Sequence, residues 1–306
     1  MGGVLIGFGI IAFVIVVGYI AARFGIGGEH APYVLNRVAF YVTTPALLFT
    51  VLAKADLRVV FSAHVGVAAI SAVAAAALYV VVSRVFFRMP AAETTLGAMG
   101  AGYVNANNIG LPVAVYVLGS ASFVAPVLML QLIVFAPVVL TLLDVTSRGG
   151  VSLRAILTGP VRNPMIIASI LGLVVDLTGL RLPNAVFQPF ELLGGAAVPL
   201  VLLAFGMSLR GSRPLRAGAG RAQILTAALI KTVGMPLIGY LAGRLVFGLT
   251  GHDLFAVVAL AALPAAQNVY NFASTYRRGE VIARDTVLLT TLLAIPALIV
   301  IAALLA

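Results

Sequence analysis

Three asparagines stand at the centre of a long uncharged segment. Thr94–Leu143 contains fifty residues without one charged side chain, yet its middle carries Asn105, Asn107 and Asn108. An amide side chain both donates and accepts hydrogen bonds while bearing no charge. Such groups can replace the water around a ligand that enters apolar surroundings, where an unpaired polar group is costly. We therefore predict a hydrogen-bonding site here rather than a surface that only contacts lipid.

The residues after these asparagines disfavour a continuous helix. Pro112 lacks an N–H, and its ring clashes with the carbonyl four residues back, which belongs to Asn108. Gly110 has no side chain that would resist an irregular backbone. We predict that the helix unwinds around Asn108–Pro112. Unwound backbone at membrane depth is tolerated only where it is buried in protein or lines a cavity.

A second segment has the same ingredients in another order. Pro264 is followed by Gln267, Asn268 and Asn271. We predict that this helix is also broken and that the two breaks cross at mid-membrane, with Gly110, Pro112 and Pro264 forming the crossover backbone. The alternative is two proline-kinked helices whose amides merely bind neighbouring helices together.

The rest of the chain has the composition of a membrane protein. Of its 306 residues 62% are hydrophobic and 9% are charged, and its mean hydropathy is +1.16, whereas a soluble domain has about 25% charged residues. A helix needs about 20 residues to cross the hydrocarbon core. On that basis we predict ten transmembrane helices in one all-α membrane domain, from these apolar runs: Met1–Ala22, Val38–Ala53, Val59–Ser83, Thr94–Leu143 (two helices), Asn163–Leu180, Leu192–Leu209, Ala222–Gly243, Leu254–Tyr276 and Thr286–Ala306.

The basic residues lie mainly on one side of this arrangement. The loops between helices 1–2, 3–4, 5–6, 7–8 and 9–10 hold 14 of the 19 Lys and Arg residues. The positive-inside rule places those loops in the cytoplasm, so both termini are predicted outside a multi-pass protein of the cytoplasmic membrane. Loops on the opposite side hold Lys54, Arg58, Arg181 and Arg244. The net charge of +10 is thus a topology signal, and the predicted surroundings are the lipid bilayer rather than nucleic acid.

The two halves of the chain resemble each other. When the second half is laid over the first, Asn108 aligns with Asn268 and Tyr116 with Tyr276 at the same shift. Chance similarity in an Ala/Leu/Val-rich sequence is the alternative. Five helices per half would insert the second half upside down, which is the inverted-repeat plan of many secondary transporters. We predict repeat one at 1–144, a cytoplasmic connector at 145–162 and repeat two at 163–306.

Two charged residues lie within predicted helices. Lys231 is about ten residues inside helix 8, and Asp176 lies in helix 6 toward the outer face. Ionisable residues inside the membrane are costly and usually functional. Our hypothesis is that the Lys231 ammonium stabilises carbonyl ends of the broken helices, with possible proton coupling; local pairing is the alternative. Asp176 is a second coupling candidate, or it pairs with Arg181.

Catalytic and metal-binding patterns are missing from the sequence. The three histidines are scattered at 30, 64 and 252, no H-E-x-x-H motif occurs, and there is no cysteine. We therefore expect no enzyme, no metal and no cofactor. A channel or receptor built on the same helices is harder to separate from a carrier by sequence.

Several motifs in chain order resemble the auxin efflux carrier family, which belongs to the bile-acid/arsenite/riboflavin transporter superfamily. They are "TPALLF" in helix 2, "NNIGLP" in helix 4, "RNP" opening helix 6, "LPAAQN" in helix 9 and "TTLLAIP" in helix 10. The resemblance covers essentially the whole chain. It implies a scaffold of helices 1, 2, 6 and 7, and a mobile transport domain of helices 3–5 and 8–10.

The resemblance also assigns site residues. Asn105 matches the asparagine that bonds the substrate carboxylate in plant members, and Thr44 and Leu48 match pocket positions in helix 2. Asn163 is retained at the start of helix 6, but Met165 stands where a polar residue is expected, which disfavours auxin itself. With the crossover amides, the predicted substrate-binding residues are Asn105, Asn108, Thr44, Leu48, Asn268, Gln267 and Asn163.

Together these features predict a secondary transporter that moves a small mono- or dicarboxylate across the membrane by elevator-like alternating access. If Lys231 replaces the sodium ion used by bile-acid-type relatives, the coupling ion is a proton or absent. A sodium-coupled symporter of the bile-acid type is the alternative. We expect the carrier to be a homodimer.

Overall fold

Helices make up most of the described part of the chain. The structure is a computed structural model that describes residues 2–54, 63–148, 163–180, 182–210 and 220–306. In those ranges the backbone forms ten helical segments, which we number α1 to α10, and no β-strand beyond one isolated bridge. The segments are α1 Gly2–Arg23, α2 Ala31–Leu52, α3 Ala63–Phe87, α4 Ala91–Tyr116, α5 Ala121–Thr146, α6 Pro164–Thr178, α7 Asn184–Ser208, α8 Arg221–Val246, α9 Gly251–Tyr276 and α10 Glu280–Leu305.

Length and composition make these helices suitable for a bilayer. Six of those in the described ranges, namely α2, α3, α5, α7, α8 and α10, are long and apolar enough to cross a membrane. Their outer faces carry exposed aliphatic and aromatic side chains, such as Val81, Phe86 and Leu304. A soluble protein would have to cover that surface. The chain is therefore a multi-pass membrane protein of the all-helical class.

Two of the segments, α4 and α9, are interrupted. The first half of α4 (α4a, Ala91–Gly102) ends before three non-helical residues, 103–105. A π-helical turn, Ala106–Gly110, then leads into the second half (α4b, Leu111–Tyr116). The first half of α9 (α9a, Gly251–Ala261) and its second half (α9b, Asn268–Tyr276) flank an interruption at 262–267 that contains Pro264.

The interruption of α4 is not where the sequence pattern placed it. The prediction of unwound backbone over Asn108–Pro112 is wrong, because those residues are helical and the break lies at 103–105. Pro112 is the second residue of α4b, but it lies within a helical run that already starts with the π turn at Ala106. Its missing N–H falls directly after that turn, where the regular α-helical hydrogen bonds are already interrupted. The proline therefore coincides with the change from π turn to α-helix and does not break the run.

Gly110 also serves a different purpose from the one predicted. Its φ of −64° is ordinary for a helix, so conformational freedom does not explain it. A Cβ on Gly110 would lie 2.8 Å from Cδ1 of Leu263 and 3.1 Å from Cγ2 of Val124. The missing side chain is what lets α4 approach the interrupted part of α9.

Helix contacts divide the bundle into two groups. Helix α1 packs along α7, while α2 packs against α6 and α7. In the other group α3 contacts α4a, α8 and α9a, and α10 contacts α4a, α8 and both halves of α9. A salt bridge joins the turn after α2 to α7, since Lys54 Nζ lies 2.8 Å from Glu191 Oε1. The groups meet mainly where α1 and α7 contact the second half of α4 and the π turn before it.

Candidate functional site

The interruptions of α4 and α9 lie side by side and hydrogen-bond to each other. Val104 and Ala265 form an isolated antiparallel bridge. The Asn105 N–H donates to the Pro264 carbonyl at 2.8 Å, and the Ala266 N–H donates to the Tyr103 carbonyl at 3.0 Å. Backbone groups freed by each break are thus satisfied by the other break, as buried polar groups require.

These two hydrogen bonds are related by a common spacing along the chain. The separation from Asn105 to Ala266 equals the separation from Tyr103 to Pro264. The donor of one bond therefore corresponds to the donor of the other, and the two acceptors correspond in the same way. This separation is one residue longer than the separation between Asn108 and Asn268 in the sequence alignment of the two halves. In the register of the bridge Asn107, rather than Asn108, corresponds to Asn268.

Two polar side chains from neighbouring helices complete the backbone pairing. Gln131 of α5 is buried, and its Nε2 donates to the Val104 carbonyl at 2.8 Å. Thr290 of α10 is also buried, and its Oγ1 accepts the Ala265 N–H at 3.1 Å. The interruption of each helix is therefore held both by the other interruption and by a side chain of α5 or α10.

Lys231 lies against the carbonyl end of a broken helix. Its side chain is 0% exposed, and its Nζ donates to the carbonyl of Ala261, the last residue of α9a, at 2.8 Å. The Met235 sulfur is 3.1 Å from the same nitrogen. A cation near the last carbonyls of a helix is favourable because the helix dipole places negative partial charge there. The position is the one that the sequence-based hypothesis describes, and the part of Lys231 in coupling stays a prediction.

A small cavity adjoins the paired interruptions. Its volume is about 60 Å³, enough for about four to six water molecules. Most of its polar lining comes from the two breaks and from α5, with Phe40 and Met165 on the side of α2 and α6. The lining side chains with hydrogen-bonding groups are Tyr103, Asn105, Asn107, Asn108, Gln131, Gln267 and Asn268, and none of the lining residues in the described part of the chain is charged.

Asn105 caps the helix that follows it. Its Oδ1 accepts the backbone N–H of Asn108 at 3.0 Å, as an N-cap residue does. The side chain of Asn107 in turn donates to Asn108 Oδ1 at 2.8 Å. Asn105 is buried at 6% exposure, whereas Gln267 and Asn268 are exposed. The cavity thus combines one buried, oriented amide with several accessible ones.

Not all of the predicted site residues come together. Asn105, Asn108, Gln267 and Asn268 line the cavity. Thr44 and Leu48 are buried in α2 and do not line it, although the Thr44 hydroxyl is buried without a hydrogen-bond partner among the described residues.

Two predicted residues of α6 also lie away from the cavity lining. Asn163 caps α6 by accepting the Met165 N–H at 2.9 Å, so its side chain orders the helix start, and Met165 itself reaches the cavity. Asp176 is part-exposed in the last turn of α6 and does not line the cavity. Arg181, its proposed partner, lies outside the described residues, as does most of the 145–162 connector.

Sequence reasoning missed Tyr103, Gln131 and Thr290. Gln131 carried a usable signal, because an amide within an apolar run needs a partner in the membrane. Thr290 carried none, since a threonine can satisfy its hydroxyl on its own helix, and this one also donates to the Thr286 carbonyl at 2.8 Å. Tyr103 was overlooked beside the nearby asparagines. In the structure its hydroxyl lies 3.5 Å from the Gln131 carbonyl.

Comparisons with known proteins give a family match and two relatives, all of them described as membrane transport proteins or transporters. Residues 8–302 match the family described as "Membrane transport protein". A protein of Rhizobium meliloti (strain 1021) named "Putative malonate transporter" is 25% identical over 293 residues, which cover 92% of this chain and 89% of that protein. A protein of Methanothermobacter thermautotrophicus named "Uncharacterized transporter" is 27% identical over 258 residues, covering 82% of each chain.

Proposed function

Since the chain belongs to the membrane transport protein family, which includes the auxin efflux carriers, we propose that it is a secondary carrier of small organic anions whose substrate binds where α4 and α9 meet. The observation that carries the proposal is the mutual hydrogen bonding of the two interruptions beside an uncharged, amide-lined cavity. The ligand class is a mono- or dicarboxylate. The name of the rhizobial relative makes malonate the first substrate to test.

The donors around the cavity suit a carboxylate. A carboxylate that leaves water needs hydrogen-bond donors in exchange. The amides supply them, and the backbone after each interruption starts a helical segment, whose first N–H groups carry positive partial charge. Because none of these groups bears a full charge, the ligand can be bound firmly enough for selection and still be released.

The inverted repeat is supported by recurring helix bounds. The separation from the start of α4a at Ala91 to the start of α9a at Gly251 is nearly the same as that from the start of α5 at Ala121 to the start of α10 at Glu280. We propose ten transmembrane helices in two inverted five-helix repeats that cross at the interruptions.

The division of helix contacts supports an elevator. The group α1, α2, α6 and α7 is proposed as the scaffold, and the group α3–α5 and α8–α10 as the moving transport domain. All the backbone bonds between the interruptions, and the side chains of Gln131, Thr290 and Lys231, belong to the second group. The polar lining of the cavity would therefore move as one unit with the transport domain. Phe40 and Met165 belong to the scaffold side, so the moving cavity would leave them behind and meet other scaffold residues.

Flux measurements in liposomes test the proposal. Purified protein is reconstituted with unlabelled malonate inside, and entry of labelled malonate is followed, with protein-free liposomes as the control. A carrier gives saturable uptake that is accelerated by internal substrate. Uptake that rises linearly with concentration and shows no counterflow would indicate a pore. Absence of any carboxylate flux or binding would contradict the proposed substrate class.

A further inference from the structure

The amide of Asn105 presents a donor to the cavity. Its Oδ1 accepts a hydrogen bond from the backbone N–H of Asn108 at 3.0 Å, and a backbone N–H can only donate. The orientation of this amide is therefore fixed without ambiguity between oxygen and nitrogen. The group left for a ligand is Nδ2, which suits one carboxylate oxygen.

The neighbouring pair, Asn107 and Asn108, presents both a donor and an acceptor. The Asn107 Nδ2 donates to Asn108 Oδ1 at 2.8 Å, while Asn107 Oδ1 is buried with no hydrogen-bond partner in the described part of the chain. If both amides are flipped, nitrogen and oxygen exchange places in both residues. One bond still joins the pair, and one donor group and one acceptor still remain. The flipped pair would still offer a donor and an acceptor, but the buried unpaired group would then be the donor Asn107 Nδ2 and the free acceptor would be Asn108 Oδ1.

In the orientation that the structure has, the unpaired buried group of the pair is the acceptor Asn107 Oδ1, which favours a ligand that carries a donor. A fully ionised dicarboxylate has only acceptors and would meet the free oxygen of the Asn107–Asn108 pair with a second negative charge. Among the described residues no charged side chain lines the cavity to compensate it, and Lys231 is occupied at the Ala261 carbonyl. A hydroxyl, in contrast, would satisfy that oxygen and remove the cost of leaving it unpaired.

We infer that the site selects a monoanion in which one carboxylate is accompanied by an O–H donor, an inference that rests on the proposed function. The carboxylate would bind to Asn105 and the O–H to the Asn107–Asn108 pair. Two kinds of small acid have this chemistry. One is a hydroxy acid; the other is a dicarboxylic acid with one carboxyl protonated. In the second case each molecule carries one proton across the membrane on the substrate itself, so that no protein side chain has to titrate.

Matched ligand pairs test the inference by calorimetric binding to the purified protein. Lactate and propionate differ only in a hydroxyl, and we expect lactate to bind about tenfold more tightly, the value of one hydrogen bond of about 1.4 kcal/mol. Half-protonated succinate carries an O–H that the anion of its monomethyl ester lacks, so the ester should bind about tenfold more weakly than that form of succinate. Above the second pKa of succinate, its apparent Kd should rise about tenfold per pH unit, because only the half-protonated fraction is competent. The Kd of lactate should stay constant over the same range.

The variant Asn107→Ala identifies the residue. It should bind lactate and propionate equally, and a thermal melt shows whether the variant is folded. The ligand comparison on the unsubstituted protein needs no variant, so it decides the matter if this one does not fold. Equal binding of lactate and propionate by the unsubstituted protein, or succinate binding independent of pH, would overturn the inference while leaving the carrier proposal intact. Failure of every carboxylate to bind would overturn both.

Discussion

Lys231 Nζ donates to the Ala261 carbonyl at 2.8 Å from a position with no exposed surface. The contact places a potential positive charge behind the interruption of α9, at the carbonyl end of α9a. The π turn Ile230–Gly234, which widens α8 at this point, contains the lysine. We propose that this lysine takes the place of a bound metal ion at that carbonyl.

The first prediction concerns this lysine. Transport by the unsubstituted protein should be unaffected when choline replaces sodium, because the α9a carbonyl end already has its cation. Lys231→Met should fill the same space but lose the hydrogen bond, so that transport falls by more than about tenfold. Lys231→Ala is less informative, since the cavity it leaves costs about 2–5 kcal/mol by itself. Uptake that requires sodium, or a fully active Lys231→Met protein, would refute this role.

The second prediction concerns the close approach at Gly110. Gly110→Ala should lower the melting temperature and transport together, because the new Cβ would lie 2.8 Å from Leu263. Shortening the neighbour in the double variant Gly110→Ala/Leu263→Ala should recover part of the loss. Gly9→Ala is the control, since a Cβ there meets nothing within 4 Å. Equal melting temperatures for both single variants would argue against the contact.

The third prediction concerns Gln131. Gln131→Leu removes the donor to the Val104 carbonyl, which keeps only the Ala106 N–H at 2.9 Å. The free energy of unfolding should fall by about 1 kcal/mol. Transport should fall by a larger fraction than stability, because the interruption of α4 loses the side chain that holds it in place. Thr141→Val on the same helix is the control, since Thr141 bonds only the carbonyl of Pro137 on its own helix. If both variants transport alike, Gln131 does not position the site.

The fourth prediction concerns the moving group of helices. The chain has no cysteine, so spin labels can be placed without background. Labels at Glu191→Cys in α7 and Arg244→Cys in α8 should change their separation when substrate is added. Labels at Arg244→Cys and Glu280→Cys, both in the second helix group, should keep theirs. A constant distance in the first pair under substrate and under a substrate gradient would count against an elevator.

The sequence predicted which residues lie near the interruptions better than where the chain breaks. Uncharged runs indicated the helices, because only hydrophobicity and length decide whether a segment can span. Paired prolines and amides marked α4 and α9. The position of the α4 break was missed because the helical run accommodates Pro112 directly after a π turn, so a proline alone does not say where the helix ends.

Partners contributed by other helices could not be read from the sequence. That Gln131 and Thr290 bind the two interruptions depends on how α5 and α10 pack. The same is true of the register of the Val104–Ala265 bridge, which is set by backbone hydrogen bonds that leave no trace in residue type. Tertiary packing supplied these parts of the site.

The cap bond of Asn105 changes the most direct experiment. The sequence alone suggests that Asn105→Ala would weaken ligand binding without affecting the fold. However, Asn105 Oδ1 caps the turn before α4b, and loss of an N-cap costs about 0.5–2 kcal/mol. Asn105→Asp separates the two roles, because a carboxylate keeps the accepting oxygen but replaces the donor with a negative charge.

The binding of a carboxylate to Asn105→Asp is therefore the measurement that tests the account most directly. We predict a melting temperature close to that of the unsubstituted protein and a Kd for lactate or malonate that is weaker by more than about tenfold, the loss of one hydrogen bond to a charged group. Asn184→Asp, on an exposed asparagine at the start of α7, should bind normally. Unchanged affinity in Asn105→Asp would place the carboxylate elsewhere and contradict the site proposed between α4 and α9.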